Sequence, residues 1–176
     1  MPLTLRPFGE RDFATLISWV PTADALGQWC AAFFAHPLDE NQLRRYLESA
    51  RAPGTREIFT VTRAGRAVAH VELGMIWAHL SCRLSRVLVD PGERRRSIGR
   101  ETVRLAATRG FGRHHVDRID LGVAADNAAA IGCYRQEGFV HVGTWPRAIT
   151  VGTRTIDVVW MTLARSAWSG DVRGSG

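Results

Sequence analysis

Two stretches of the chain carry side chains whose types and spacing can do chemistry. The first, Val87-Leu88-Val89-Asp90-Pro91-Gly92-Glu93-Arg94-Arg95-Arg96-Ser97-Ile98-Gly99-Arg100, runs from a strand through a turn into the start of a helix. A helix N-terminus offers free backbone N–H groups and a partial positive charge, so small residues at such a turn make a natural pyrophosphate cradle. Ser97 and Gly99 are the small residues here, and Arg94, Arg95, Arg96 and Arg100 surround them with formal positive charge. An ordinary solvated basic helix start is the plainer reading of the same letters. The second stretch runs from Leu121 to Phe139. Tyr134 follows Asn127 by seven residues, two helical turns, so both side chains point along one face and can line one cleft. Asn127 or Asp126 can cap this helix, and Gly138 stands where a helix commonly ends. A half-buried tyrosine with a satisfied hydroxyl is the alternative to a tyrosine that acts. Apart from these stretches, Glu72 interrupts the apolar strand His70-Val71-Glu72-Leu73, and an acid in that place asks for a reason. It is either functional, with His70 on the same face, or an outward-facing residue paired with an arginine.

The elements that must position these residues can be read from periodicity. Leu3 to Pro7 alternates as a strand, and Phe13, Leu16, Ile17 and Trp19-Val20 suit a short amphipathic helix. The spacing predicts two further helices, over Ala25–Phe34 and Leu38–Arg51. Strands follow at Ile58–Val61, Val68–Ile76 and Leu84–Val89, with Ala64-Gly65-Arg66 as a turn. A helix over about Ile98–Thr108, a strand Ile119–Val123, a helix over about Asn127–Glu137 and strands Phe139–Val142 and Ile156–Leu163 complete the pattern. A strand meander followed by one crossover unit gives an α+β domain with a mixed, mostly antiparallel central sheet flanked by helices. The ligand cleft is expected where parallel pairing begins. One domain over 1–166 and a disordered C-terminal tail over 167–176 are expected.

The composition narrows the classes. A chain of 176 residues that is 45% hydrophobic can bury one sizeable core. No run approaches the ~18 apolar residues of a membrane span, and no signal-peptide pattern opens the chain, so a cytoplasmic protein without a membrane partner is expected. Cys30, Cys82 and Cys133 are far apart and lack metal-site or redox spacing, so free thiols and no metal are expected. The net charge of +6 comes from 23 basic residues, every one an arginine. Such a charge fixes the sign of a partner better than its identity, and without interleaved surface aromatics or a recognisable module no nucleic acid is expected.

The two stretches resemble one family. The turn is similar to the acetyl-CoA-binding signature of the GNAT superfamily, Arg/Gln-x-x-Gly-x-Gly/Ala after a strand, with Arg94 in the first place and Gly99 in the last. Ser97 stands where the family usually has its first glycine, a departure that keeps the backbone donor and adds a side chain. The later segment resembles the pattern Asn-x-x-Ala-x-x-x-Tyr-x-x-x-Gly-Phe at Asn127, Ala130, Tyr134, Gly138 and Phe139. The likeness spans roughly residues 1 to 165 and is specific over 87 to 139. Ser18-Trp19-Val20-Pro21, Gln28-Trp29 and Arg83-Leu84-Ser85-Arg86-Val87 look like the branch holding ribosomal-protein-alanine and aminoglycoside 6′-acetyltransferases.

The resemblance implies the GNAT sheet with a β-α-β-α coenzyme-binding unit, acetyl-CoA as cosubstrate, and transfer to a primary amine of a small molecule or a protein N-terminus. It implies that the backbone of Val87 and Val89 pairs with the pantetheine arm and that the amides of Arg95, Arg96, Ser97, Ile98, Gly99 and Arg100 hold the pyrophosphate, with Asn127 beside them. Tyr134 would protonate the departing thiolate, which suits a phenol of pKa ~10. The amine must lose a proton, yet the neighbourhood where some members carry a glutamate base reads Cys82-Arg83-Leu84-Ser85. Glu72 is the nearest alternative, as base, acceptor anchor or both, and a water chain is another. The acceptor pocket would draw on Trp29, Phe33, Phe34 and His36, whose plain role is core packing. A coenzyme sensor without turnover is the competing reading, and a homodimer is compatible with all of this.

Overall fold

The computed structural model describes residues 1–52 and 54–170. Seven strands form one sheet in the order β1-β2-β3-β4-β5-β7-β6. They are β1 (Leu3–Pro7), β2 (Arg56–Arg63), β3 (Arg66–Ile76), β4 (Ser81–Val89), β5 (Arg118–Ala124), β6 (Val140–Val151) and β7 (Arg154–Ala164). The helices are α1 (Phe13–Trp19), α2 (Ala23–Cys30), α3 (Glu40–Ser49), α4 (Ile98–Arg113) and α5 (Ala128–Gln136). Every pairing is antiparallel except β4 with β5. Among the described residues no helix is long and apolar enough to cross a membrane.

Strand alternation sorts the core into two layers. Val71, Leu73, Cys82, Leu84, Ile119, Leu121, Met161 and Leu163 face α4, whose Val103, Ala106, Ala107 and Phe111 complete one buried cluster. Phe8, Phe13, Leu16, Leu26, Phe34, Leu43 and Tyr46 build a second cluster with the α1–α3 segment, and His70 packs into it at 4.8 Å from the Phe8 ring. Each large apolar side chain so buried contributes roughly 1.5–3 kcal/mol by leaving water. Local signals start the helices: the Thr22 hydroxyl accepts the Ala25 amide at 3.2 Å, and the Asp39 carboxylate accepts the Gln42 amide at 2.8 Å.

Three expectations need correction. Helix α2 ends at Cys30, because Ala31 turns to φ 51°, so Phe33 and Phe34 lie on the connecting loop and not on a helix. Strand β6 runs to Val151, far past Val142; Pro146 reads as a breaker but sits in a bulge between Trp145 and Ile149 of an edge strand, where no donor is missed. The ordered domain also runs past residue 166. The Arg165 guanidinium donates to the carbonyls of Phe111, His114 and Val116, fastening the C-terminal end of α4, and the Trp168 ring lies 6.0 Å from that of Phe111. The remainder of the expected tail, 171–176, lies outside the described residues.

Candidate active site

The sheet opens where its two parallel strands meet. β4 and β5 pair only over Ser81–Arg83 against Arg118–Asp120, after which they part. Beyond that vertex Leu84–Val89 keeps its bonds to β3 and Leu121–Ala124 keeps its bonds to β7, so the facing edges carry unpaired backbone groups. An extended ligand arm laid in this gap meets donors and acceptors as another strand would. Val87 and Val89, both half-buried, lie on the β4 side of it.

The turn after β4 ends at Ser97, which adopts the left-handed φ of 62° and makes no side-chain cap to α4. The first-turn amides of Ile98, Gly99 and Arg100 therefore find no acceptor among the described residues. Ile98 is buried and fixes the helix start to the core, while Arg94, Arg95, Arg96, Ser97 and Arg100 are exposed. Two of these arginines have side-chain partners already: Arg96 donates to Glu93 at 3.2 Å, and Arg100 pairs with Glu137. Glu93 also accepts from Arg63 at 2.6 Å, which ties the turn to β2. Gly99 brings the start of the helix close to its neighbours: a Cβ there would lie 3.5 Å from Val89 Cγ2 and 4.0 Å from Cys133 Sγ. An alanine fits that space and a larger side chain does not. Gly99→Ala is accordingly expected to keep acetyl-CoA affinity within a few-fold, and Gly99→Leu to lose about tenfold or more, as read by titration calorimetry.

Helix α5 brings the second stretch to the same place. Asn127 caps it, its side chain accepting the Ala130 amide at 3.1 Å. Tyr134, half-buried, packs against Phe139 with ring centroids 5.8 Å apart, and no hydrogen bond to its hydroxyl is formed among the described residues. Burial, and after it the adjacent Cys133, push this phenol above its ordinary pKa, so it stays protonated at neutral pH and is a donor in waiting.

The opposite face of the sheet holds the other predicted residues. Glu72 is buried, its Oε1 accepting from Arg86 at 2.6 Å and its Oε2 from the Tyr46 hydroxyl at 2.6 Å, with Arg56 at 3.7 Å. That is the reason for an acid in this strand, and an amine reaches the carboxylate only by displacing a partner. Arg86 comes from a bulge: Ser85 pairs with Glu72 and Leu88 with His70, leaving Arg86 and Val87 opposite Val71 alone, with Arg86 at φ 50°. Its guanidinium lies 3.7 Å from the centroid of the Phe33 ring, which is 47% exposed. Trp29 stacks on Phe34 at 5.7 Å and meets His70 edge-on at 5.6 Å. Trp29 Nε1, His70 Nδ1 and Arg86 Nε are buried without hydrogen-bond partners among the described residues. His36, exposed, approaches the Pro21 carbonyl at 3.4 Å and takes no part in this group.

The structure links Glu72 to Phe33 through Arg86 and sets Trp29 beside His70; sequence reasoning missed Arg86 and Tyr46, which hold Glu72. Two arginines three apart in Arg83-Leu84-Ser85-Arg86 were the available signal, because regular alternation would put them on opposite faces and leave one in the core. Burial, then Arg86, lowers the His70 pKa to about 3. Between pH ~6.5 and ~3 the unfolded chain binds a proton there that the folded chain does not, so stability falls as pH drops through that window. Urea midpoints for the wild type and His70→Gln are expected to converge toward low pH, the variant showing the flatter profile.

Among the described residues no group of three or more His, Cys, Asp or Glu side chains is placed to hold a metal ion. The family model for the acetyltransferase (GNAT) family matches residues 23–139. Among solved structures, spermidine N-acetyltransferase from Vibrio cholerae in complex with CoA and spermine is similar at a TM-score of 0.82 and 21% identity, over 94% of this chain and 96% of that one. A probable acetyltransferase aligns at 0.82 and 17% identity over 95% of both chains. A probable GNAT-family acetyltransferase from Chromobacterium violaceum ATCC 12472 aligns at 0.78 and 22% identity, over 97% of this chain and 86% of that one. Likeness at these identities is a likeness of fold.

Proposed function

This chain belongs to the acetyltransferase (GNAT) family, and we propose that it transfers an acetyl group from acetyl-CoA directly to a primary amine within a ternary complex. The observation that carries the reading is the gap between β4 and β5, which opens beside the free first-turn amides of α4, with Arg86 stacked on Phe33 from the β4 side. The residues fit the coenzyme: an unpaired strand edge for an amide-bearing arm, a left-handed turn with open amides, and uncommitted exposed arginines at Arg94 and Arg95 for phosphate. Acetyl-CoA supplies the acyl group as a thioester, which an amine attacks with loss of the thiolate.

Each predicted residue then has a task. The edge of Val87 and Val89 orients the arm, and the amides of Ile98, Gly99 and Arg100, with Arg95, Arg96 and Ser97 around them, hold the phosphates. Asn127 fixes the start of α5, and through it the position of Tyr134 two turns on. Tyr134 gives its proton to the leaving sulfur. Glu72 acts as the anchor of the acceptor wall, holding Arg86 against Phe33 and Tyr46 in the core; Trp29 and Phe33 form that wall.

The initial-velocity pattern checks the direct route. Varying acetyl-CoA at several fixed amine concentrations should give intersecting double-reciprocal lines, and parallel lines, the mark of an acyl-enzyme, would refute it. Binding of acetyl-CoA without turnover in any amine would favour the sensor reading, for which the strained Ser97 is the supporting observation.

A further inference from the structure

The acceptor face of the gap carries more positive charge than it neutralises. Arg83 is the last residue of β4 in parallel register, opposite Asp120 of β5, and stands at the vertex of the gap. Its neighbours Cys82 and Leu84 point into the α4 core, so alternation puts Arg83 on the opposite face, with Glu72 and Ser85. Gly122, paired with Trp160, has no side chain to block its path, and the Arg83 guanidinium stacks over the Trp160 ring at 4.4 Å. The stacked group makes no hydrogen bond or ion pair among the described residues. The nearest candidate partner is already taken: Asp120 accepts from Arg118 at 3.0 Å and from the Thr162 hydroxyl at 2.7 Å. On the β4 side of the gap, Arg56 and Arg86 share the single carboxylate of Glu72, and Arg86 Nε is buried with no acceptor among the described residues.

Resting on the acetyl-transfer reading, we propose that the acceptor is a primary amine that also carries an anionic group, a carboxylate above all, and that Arg83 holds that anion. A guanidinium offers donors in a planar fork that a carboxylate meets with two parallel hydrogen bonds, and Trp160 holds the Arg83 plane in place for it. The same charges do a second task. An ammonium brought beside Arg83 and Arg86 is disfavoured relative to the neutral amine, so the site holds its nucleophile deprotonated without a dedicated carboxylate base. Arg83 itself reports this field: burial, then Arg86, lowers its pKa, with Asp120 opposing. A polyamine would bring additional positive charges into this surplus and is a poor acceptor.

The test compares acids with their uncharged amides at low ionic strength: glycine with glycinamide and β-alanine with β-alaninamide, alongside spermidine, using the wild type, Arg83→Gln and Arg83→Lys. The wild type should show a kcat/KM about tenfold or more higher for each acid than for its amide, the size expected of one charge-assisted hydrogen-bonded pair, and lower still for spermidine. Arg83→Gln should erase that preference by raising KM for the acids about tenfold more than for their amides, and Arg83→Lys should restore part of it. Equal use of acids and amides by the wild type, or a preference for spermidine, overturns the proposal while leaving acetyl transfer intact. Silence with every amine overturns acetyl transfer itself, and this inference with it.

Discussion

Replacing Tyr134 by Phe is expected to lower kcat about a hundredfold, close to 2.7 kcal/mol of transition-state stabilisation, while the acetyl-CoA dissociation constant stays within about twofold. The ring packs against Phe139, and the hydroxyl has no partner among the described residues, so removing one oxygen disturbs neither the helix nor the core. What it removes is a proton donor that burial keeps protonated. That proton matters only as negative charge develops on the leaving sulfur, so the loss should fall on turnover and spare binding. Steady-state kinetics with calorimetric titration of the coenzyme separates the two. Unchanged turnover would remove Tyr134 from the mechanism, and a matching loss of affinity would make it a binding residue.

Glu72→Gln should cost about 3 kcal/mol of stability, roughly 6–12 °C in Tm for a chain of this size. The carboxylate is 5% exposed and the Arg86 side chain 15%, so the substitution leaves a buried guanidinium facing a neutral amide. The companion contacts also weaken, because the Tyr46 hydroxyl and Arg56 converge on the same carboxylate. A differential scanning measurement reads the shift, and the kinetic profile decides the role. An anchor gives a lower Tm and a raised acceptor KM with the pH dependence of kcat unmoved. An unchanged Tm with a displaced pH profile would identify Glu72 as the base.

The parts of this site that were legible in the sequence are those set by neighbours along the chain. The Asn127 cap, the two-turn spacing to Tyr134, the left-handed glycine Gly138 and the small residues at the start of α4 follow from helix periodicity and capping, which act within a few residues. The β-meander and single crossover were likewise readable, since short apolar runs and turn residues mark them. The acceptor wall was not. Glu72 finds partners 14 and 26 residues away, and which arginine reaches it depends on a bulge at Arg86 that exists only because β3 and β4 slip register there. Pro146 misled in the same way, its meaning decided by whether β6 is an edge strand. Ser97 shows the converse: its departure from the family pattern was visible in the sequence, and the backbone nonetheless takes the left-handed turn that a glycine would take freely.

The measurement that bears most directly on the account is coenzyme A release from acetyl-CoA with and without an added primary amine, across amino acids, peptides with free N-termini, aminoglycosides and polyamines. Release that requires an amine, is strongest for acceptors bearing a carboxylate, and falls about a hundredfold in Tyr134→Phe is the predicted result. Release that ignores the amine, or none from any acceptor by a protein that binds acetyl-CoA, would contradict it.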